Sequence, residues 1–223
     1  MNNKTLIVII VTLMIYFGLT TFGGQLGRTL MSPLILFVTF LHEFGHALAA
    51  LITGGSVREF VINSNGSGHT TTAGGSQAII LMGGYIGSAI FGNTLFYIGA
   101  KKPKIAPYAL VFVVVLMIII SLIWFTNLFT TFFLLAFALA LVALGRMTNL
   151  YDAIVMFLGL VSILYIIQDF NVGPTSDLNA YANLFVFIPS SVWMYVWLII
   201  VIALFVWNIR LIMKKGRRQE NMT

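Results

Sequence analysis

The chain contains no cysteine, so neither a disulfide nor a thiolate metal site is available, and any metal must be held by imidazole or carboxylate. Those groups are scarce too. The acidic residues are Glu43, Glu59, Asp152, Asp169, Asp177 and Glu220, and the histidines are His42, His46 and His69. Only 8% of the residues are charged, against about 25% in soluble domains, which excludes a water-soluble globular fold. Long polar loops are missing as well. Without one, the sequence predicts a single membrane-embedded domain over residues 1–223 and no attached peptide-binding module.

What the chain has in abundance is apolar sequence: 60% of its residues are hydrophobic, and the mean hydropathy is +1.01. This composition defines an integral, multi-pass membrane protein. A membrane-crossing helix needs about 20 mainly apolar residues, and about seven stretches qualify. They cover 5–22, 30–53, 77–99, 108–125, 127–144, 150–168 and 190–213, with only Trp124-Phe125-Thr126-Asn127 separating the fourth from the fifth. The expected fold class is therefore an all-α polytopic membrane protein.

The net charge of +6 comes from basic residues in short loops and near the C-terminus, which suits lipid headgroup contact and topology rather than nucleic acid. Lys214, Lys215, Arg217 and Arg218 follow an apolar stretch as cytoplasmic anchors do. With that end cytoplasmic, seven alternating crossings put Arg28, Lys101, Lys102, Lys104 and Arg146 inside and leave Lys4 and Arg58 outside. Loop charge thus predicts a cell-membrane protein with its N-terminus out. Residues 19–23 make a poor signal cleavage site, so the first stretch reads as a retained helix.

One cluster breaks the apolar pattern: His42-Glu43-Phe44-Gly45-His46. Residues four apart share one face of a helix, so both imidazoles can reach one metal ion, and Glu43 stands where it can take a proton from water. The flanks 30–41 and 47–53 carry no charge. An ionisable group at membrane depth costs about 2.5–3.5 kcal/mol, so three together call for a compensating role, and this spacing suits zinc. The alternative is a polar cluster that only satisfies itself between helices.

Residues 54–75 are the one substantial non-helical piece. Val57, Glu59, Val61 and Asn63 alternate with Arg58, Phe60 and Ile62, and Asn65-Gly66 is a hairpin turn signal, so a short β-hairpin over about 56–73 is expected at the membrane surface. In the third stretch, Gly83, Gly84, Gly87, Ser88 and Gly92 allow close approach of the helix that carries His42. Asn93 either bonds a neighbouring helix or lines a substrate path.

These residues resemble the site-2 protease family of intramembrane zinc metalloproteases, and within it the short bacterial branch without extra domains. The likeness rests on Phe40-Leu41-His42-Glu43-Phe44-Gly45-His46-Ala47-Leu48-Ala49-Ala50, on Gly54-Gly55, and on Gly83-Gly84-Tyr85-Ile86-Gly87-Ser88-Ala89. It continues in Ser176-Asp177, in 180–184 and in Pro189-Ser190-Ser191-Val192-Trp193. The resemblance implies a zinc ion held by His42, His46 and an aspartate from a later segment, with Glu43 as the base. The wider family's Asp-Gly pair is absent, and Asp177, in a Ser-Asp pair like that of the short branch, takes its place.

Asp177 also suits the cap of a short helix ending near Pro189. Asp169 is the second candidate ligand, or else a solvated helix end. Asp152 reads as a first-turn acid, and His69 as a surface histidine rather than a fourth ligand.

The resemblance implies hydrolysis of a peptide bond in or beside a transmembrane segment of another protein within the lipid bilayer. A regulatory membrane partner is left open. The hairpin would either pair with an unwound substrate strand or plug the site. The alternative class is a non-catalytic scaffold or a metal-binding transporter. A transporter should show an internal repeat and several charges along a path; the sequence shows neither, and His42, Glu43 and His46 are intact.

Overall fold

The computed structural model describes residues 3–185 and 187–214. Lys215, Arg217 and Arg218, expected as anchors, lie outside the described residues, as does Glu220. Seven helical segments are long and apolar enough to cross a membrane. Their elements are α1 (Asn3–Phe17, continued by a π-turn Gly18–Phe22), α2 (Gly24–Ile52), α3 (Gln77–Met82), a π-turn (Gly83–Gly87), α4 (Ser88–Lys101), α5 (Ala106–Ile123), α6 (Leu128–Thr148), α7 (Tyr151–Asp169), α8 (Ser176–Leu184) and α9 (Ser190–Met213). α3, the π-turn and α4 together form the third long segment, whereas the short α8 lies outside the seven.

Helix ends differ from the apolar boundaries where local chemistry intervenes. α2 starts at Gly24 rather than 30, and Pro33 lies within it. α5 and α6 separate as expected because Asn127 is extended and its side-chain oxygen accepts a hydrogen bond from the Thr130 amide at 2.7 Å, an N-cap that opens α6.

Helix direction departs from the simple alternation of seven crossings. Lys4 pairs with Asp152 at 2.6 Å, and Tyr16 hydrogen-bonds Gln168. Each end of α1 is therefore tied to the corresponding end of α7, and the two helices run parallel. Gly99, near the end of α4, packs on the Asp152 backbone, and Lys101 donates to the Lys214 carbonyl at 3.0 Å. Lys4 thus sits at the same end of the bundle as the end of α9, not opposite it as loop charge predicts. Loop charge counts only basic residues, and it misses that Asp152 draws Lys4 into an ion pair.

The hairpin forms from β1 (Ser56–Ile62) and β2 (Gly68–Ala73), antiparallel, with a register shift between Val57 and Glu59. Gly66 supplies the positive φ of +92° in the turn. The hairpin is docked into the bundle rather than lying on its surface. Phe60 and Ile62 are fully buried in the same apolar cluster as Phe37, Phe40 and Leu134. Threonines fasten it: Thr126 donates to the Phe60 carbonyl at 2.6 Å, and Thr130 joins both backbone groups of Ile62, at 2.9 and 3.1 Å. A strand entering an apolar bundle must satisfy its main chain, and the α5–α6 connection and the first turn of α6 provide the partners.

Asn93 is a packing residue. It is buried, its amide donates to the Ala89 carbonyl, and Asn208 of α9 donates to its carbonyl and side-chain oxygens at 2.7 and 3.0 Å. Replacing Asn208 with leucine is expected to destabilise the protein by about 1 kcal/mol. Thermal unfolding in detergent measures this as a lowered Tm, with metal content unchanged.

Candidate metal centre and active site

α2 presents the His42 to His46 turn to the π-turn of the third segment because both surfaces are glycine. Gly45 and Gly83 touch backbone to backbone, leaving no room for a side chain on either. This approach sets the histidine rings. The His46 Nδ1–H donates to the Ile80 carbonyl at 2.7 Å. Because a carbonyl only accepts, Nδ1 keeps its hydrogen and Nε2 is the nitrogen turned towards the cluster. The His42 ring is held instead by an edge-on contact with Tyr85, at 4.7 Å between centroids and 87° between planes. Tyr85 in turn donates to Asp169 at 2.6 Å.

Asp177 reaches these rings from the first turn of α8, where the helix N-terminus favours an anion. α8 is seated by Leu178 and Tyr181, buried in an aromatic cluster with Tyr85, Phe170 and Trp197. Asp177 Oδ2 lies 3.0 Å from His42 Nε2 and 3.1 Å from His46 Nε2, and the two Nε2 atoms are 3.1 Å apart. Burial works to raise the Asp177 pKa, but hydrogen bonds to His42 and His46 and their charges outweigh it and hold the carboxyl well below the usual carboxylate range.

These three side chains fit a metal ion. With His46 Nδ1–H committed to Ile80, its Nε2 faces Asp177 Oδ2 and His42 Nε2, so one cation placed between the three atoms satisfies all of them. The donor triangle has edges of 3.0–3.1 Å, near the roughly 3.3 Å that two ligands at about 2.0–2.1 Å subtend in a tetrahedral site. Among the described residues it is the one group of three or more such donors within reach of each other.

The other candidates are not members of the donor group. Asp169 lines the neighbouring hollow, where it accepts from Tyr85, whose ring meets His42. Asp152 is in the first turn of α7, paired with Lys4. His69 is more than half exposed on the hairpin and faces Glu59 at 3.8 Å. The helix-cap alternative for Asp177 also falls, since Thr175 occupies the N-cap position and the Asp177 carboxylate meets the imidazoles.

Glu43 is 4% exposed. It lines a cleft of about 510 Å³ together with His42, His46, Thr70, Gln77, Ser176 and Asp177. A second hollow of about 250 Å³ opens on the other side of the same residues, towards Tyr85, Tyr165 and Asp169.

Gly84, one of the small residues expected to allow close helix approach, does more. A Cβ at this position would lie 2.5 Å from His46 Nε2 and 2.6 Å from His42 Nε2, against the donor atoms themselves. Gly84→Ala is expected to exclude bound metal and abolish activity. Gly87→Ala, whose Cβ would meet only the Gly45 Cα at 3.3 Å, is expected to retain metal. Elemental analysis of the two purified variants separates these outcomes.

Two imidazoles from α2 and a carboxylate from α8 converge in a group that could hold a metal ion, with Glu43 lining the same cleft. The chain belongs to the Peptidase M50B-like family, whose model matches residues 5–208. This makes it a membrane metalloprotease of the site-2 protease type. No curated protein and no solved structure matches the chain.

Proposed function

We propose that the protein is an intramembrane zinc endopeptidase that cuts a peptide bond in or beside a transmembrane segment of another membrane protein. His42, His46 and Asp177 hold the zinc in this reading, and Glu43 is the catalytic base. The observation that carries it is the convergence of His42 Nε2, His46 Nε2 and Asp177 Oδ2 within 3.0–3.1 Å beside a cleft that contains Glu43.

Bound there, zinc supplies Lewis acidity that polarises a carbonyl and makes water a competent nucleophile near neutral pH. The protein's own groups do the rest. Glu43 accepts a proton in the cleft and returns it to the departing amine. Asp177 and the two histidines neutralise and orient the cation, with His46 steadied by Ile80 and His42 by Tyr85.

Substrate reaches the site as an unwound strand. β2 is paired with β1 on one edge only, and Gly68, Thr70 and Thr72 line the cleft. An incoming segment gains main-chain hydrogen bonds along that strand and loses those of its helix. The polar cleft lining suits a locally unwound backbone better than an intact apolar helix. The protein acts in the cell membrane, with the basic end of the bundle, including Lys101 and Lys214, towards the cytoplasm.

The test is reconstitution of the purified protein in phosphatidylcholine vesicles with a tagged single-span polypeptide whose transmembrane segment contains glycine and proline. Cleavage is expected for the wild type, lost on treatment with a zinc chelator and restored by added zinc. Chelator-insensitive cleavage, or none by the zinc-loaded wild type, contradicts the proposal.

A further inference from the structure

The geometry points to Thr70 of the hairpin as a positioning residue for Glu43, so that β2 forms part of the catalytic machinery. This rests on the reading of Glu43 as base.

Two hairpin residues, Thr70 and Gly68, meet the glutamate, and a third contact anchors the hairpin tip beside it. The Thr70 hydroxyl lies 2.8 Å from Glu43 Oε2 and 3.1 Å from the Glu43 carbonyl oxygen, so one side chain spans both ends of the residue. Gly68, two residues earlier on the same face of the strand, approaches so closely that a Cβ would come within 2.7 Å of Oε1 and 2.8 Å of Cγ. Thr39, one helical turn before Glu43, reaches the Gly66 carbonyl at 2.7 Å and fixes the hairpin tip above the same turn. Glu43 is thereby restricted in rotation by the backbone at Gly68 and directed by the Thr70 hydroxyl, both from the same face of β2.

A free glutamate has several rotamers, and a base is effective only where its oxygen meets the proton it accepts. The Thr70 hydroxyl donates to Oε2 and holds the carboxylate in one orientation. Thr126 and Thr130 fasten β1 at Phe60 and Ile62, and Thr39 of α2 ties the hairpin tip at Gly66, so β2 is placed against α2 from both ends of the hairpin. The period-two alternation of the strand adds a second consequence. Gly68, Thr70 and Thr72 share the cleft face, so the strand that contacts the base is also the one that lines the substrate path.

The experiment compares zinc-loaded wild type, Thr70→Val, Thr70→Ser and Glu43→Gln in the vesicle assay above, with kcat, KM and zinc content measured for each. Thr70→Val keeps the shape and removes the donor. It is expected to lower kcat about 10- to 100-fold, as loss of an orienting partner does, with KM within about twofold and zinc at the wild-type level. Thr70→Ser restores the hydroxyl and is expected to recover most of kcat. Wild-type kcat in Thr70→Val overturns the inference, as does a serine variant as impaired as valine. A change confined to KM overturns it too, since the hydroxyl then serves substrate binding alone. Full activity in Glu43→Gln removes the base assignment itself, whereas loss in Glu43→Gln with full activity in Thr70→Val removes only the role of Thr70.

Discussion

Substitution of Glu43 by glutamine is expected to reduce the cleavage rate by about 10²–10⁴-fold, the usual contribution of a positioned general acid–base group. Glutamine has nearly the same shape, fills the same buried place beside Thr70 and still accepts the Thr70 hydrogen bond through its carbonyl oxygen. It cannot take up a proton. The fold and metal content are therefore expected to stay at the wild-type level while turnover is lost. Side-by-side progress curves and zinc analysis of the two proteins make the comparison, and turnover in the glutamine variant within tenfold of wild type contradicts the assignment.

Replacing Asp177 with alanine is expected to weaken metal binding by more than about 100-fold, beyond the 10- to 100-fold typical of residues that only orient a ligand. Asp177 is the sole anionic member of the His42, His46 and Asp177 group. Its removal leaves two imidazoles without the carboxylate that meets both of them. The metal-free stability changes in a definite direction as well. A carboxyl held below its ordinary pKa contributes stability above the unfolded value and loses it as pH falls through the folded one. The alanine variant lacks that contribution, so its Tm is expected to depend less on pH on the acid side. Competition with a chelator of known zinc affinity measures the first effect, and thermal melts across pH measure the second.

The long helices were legible because each is a sustained apolar run, and the α5 to α6 break was legible because Asn127 can cap and Trp124 to Thr126 cannot extend the pattern. The Asn65-Gly66 turn gave the hairpin. Its burial was not readable, because Phe60 and Ile62 fit a half-exposed strand equally well until Thr126, just before α6, and Thr130, in its first turn, meet their backbone. The parallel course of α1 and α7 also escaped, since it depends on the pairing of Lys4 with Asp152, 148 residues apart.

The histidine pair was evident from spacing alone. Whether Asp177 meets it was not, for the local pattern fits a helix cap as well as a ligand, and only the burial of Leu178 and Tyr181 brings the carboxylate across. Thr70 and Gly84 carried no distinguishing mark. One is a threonine in a run of three, and the other is one glycine among several whose importance lies in an atom it does not have.

The most direct test of the metal centre is elemental analysis of protein purified in detergent without added metal or chelator, beside the triple variant His42→Ala, His46→Ala, Asp177→Ala. One zinc per wild-type chain and none in a folded triple variant is the predicted result. A wild-type chain that binds no zinc even when supplied with it, or a triple variant that retains a full equivalent, contradicts it.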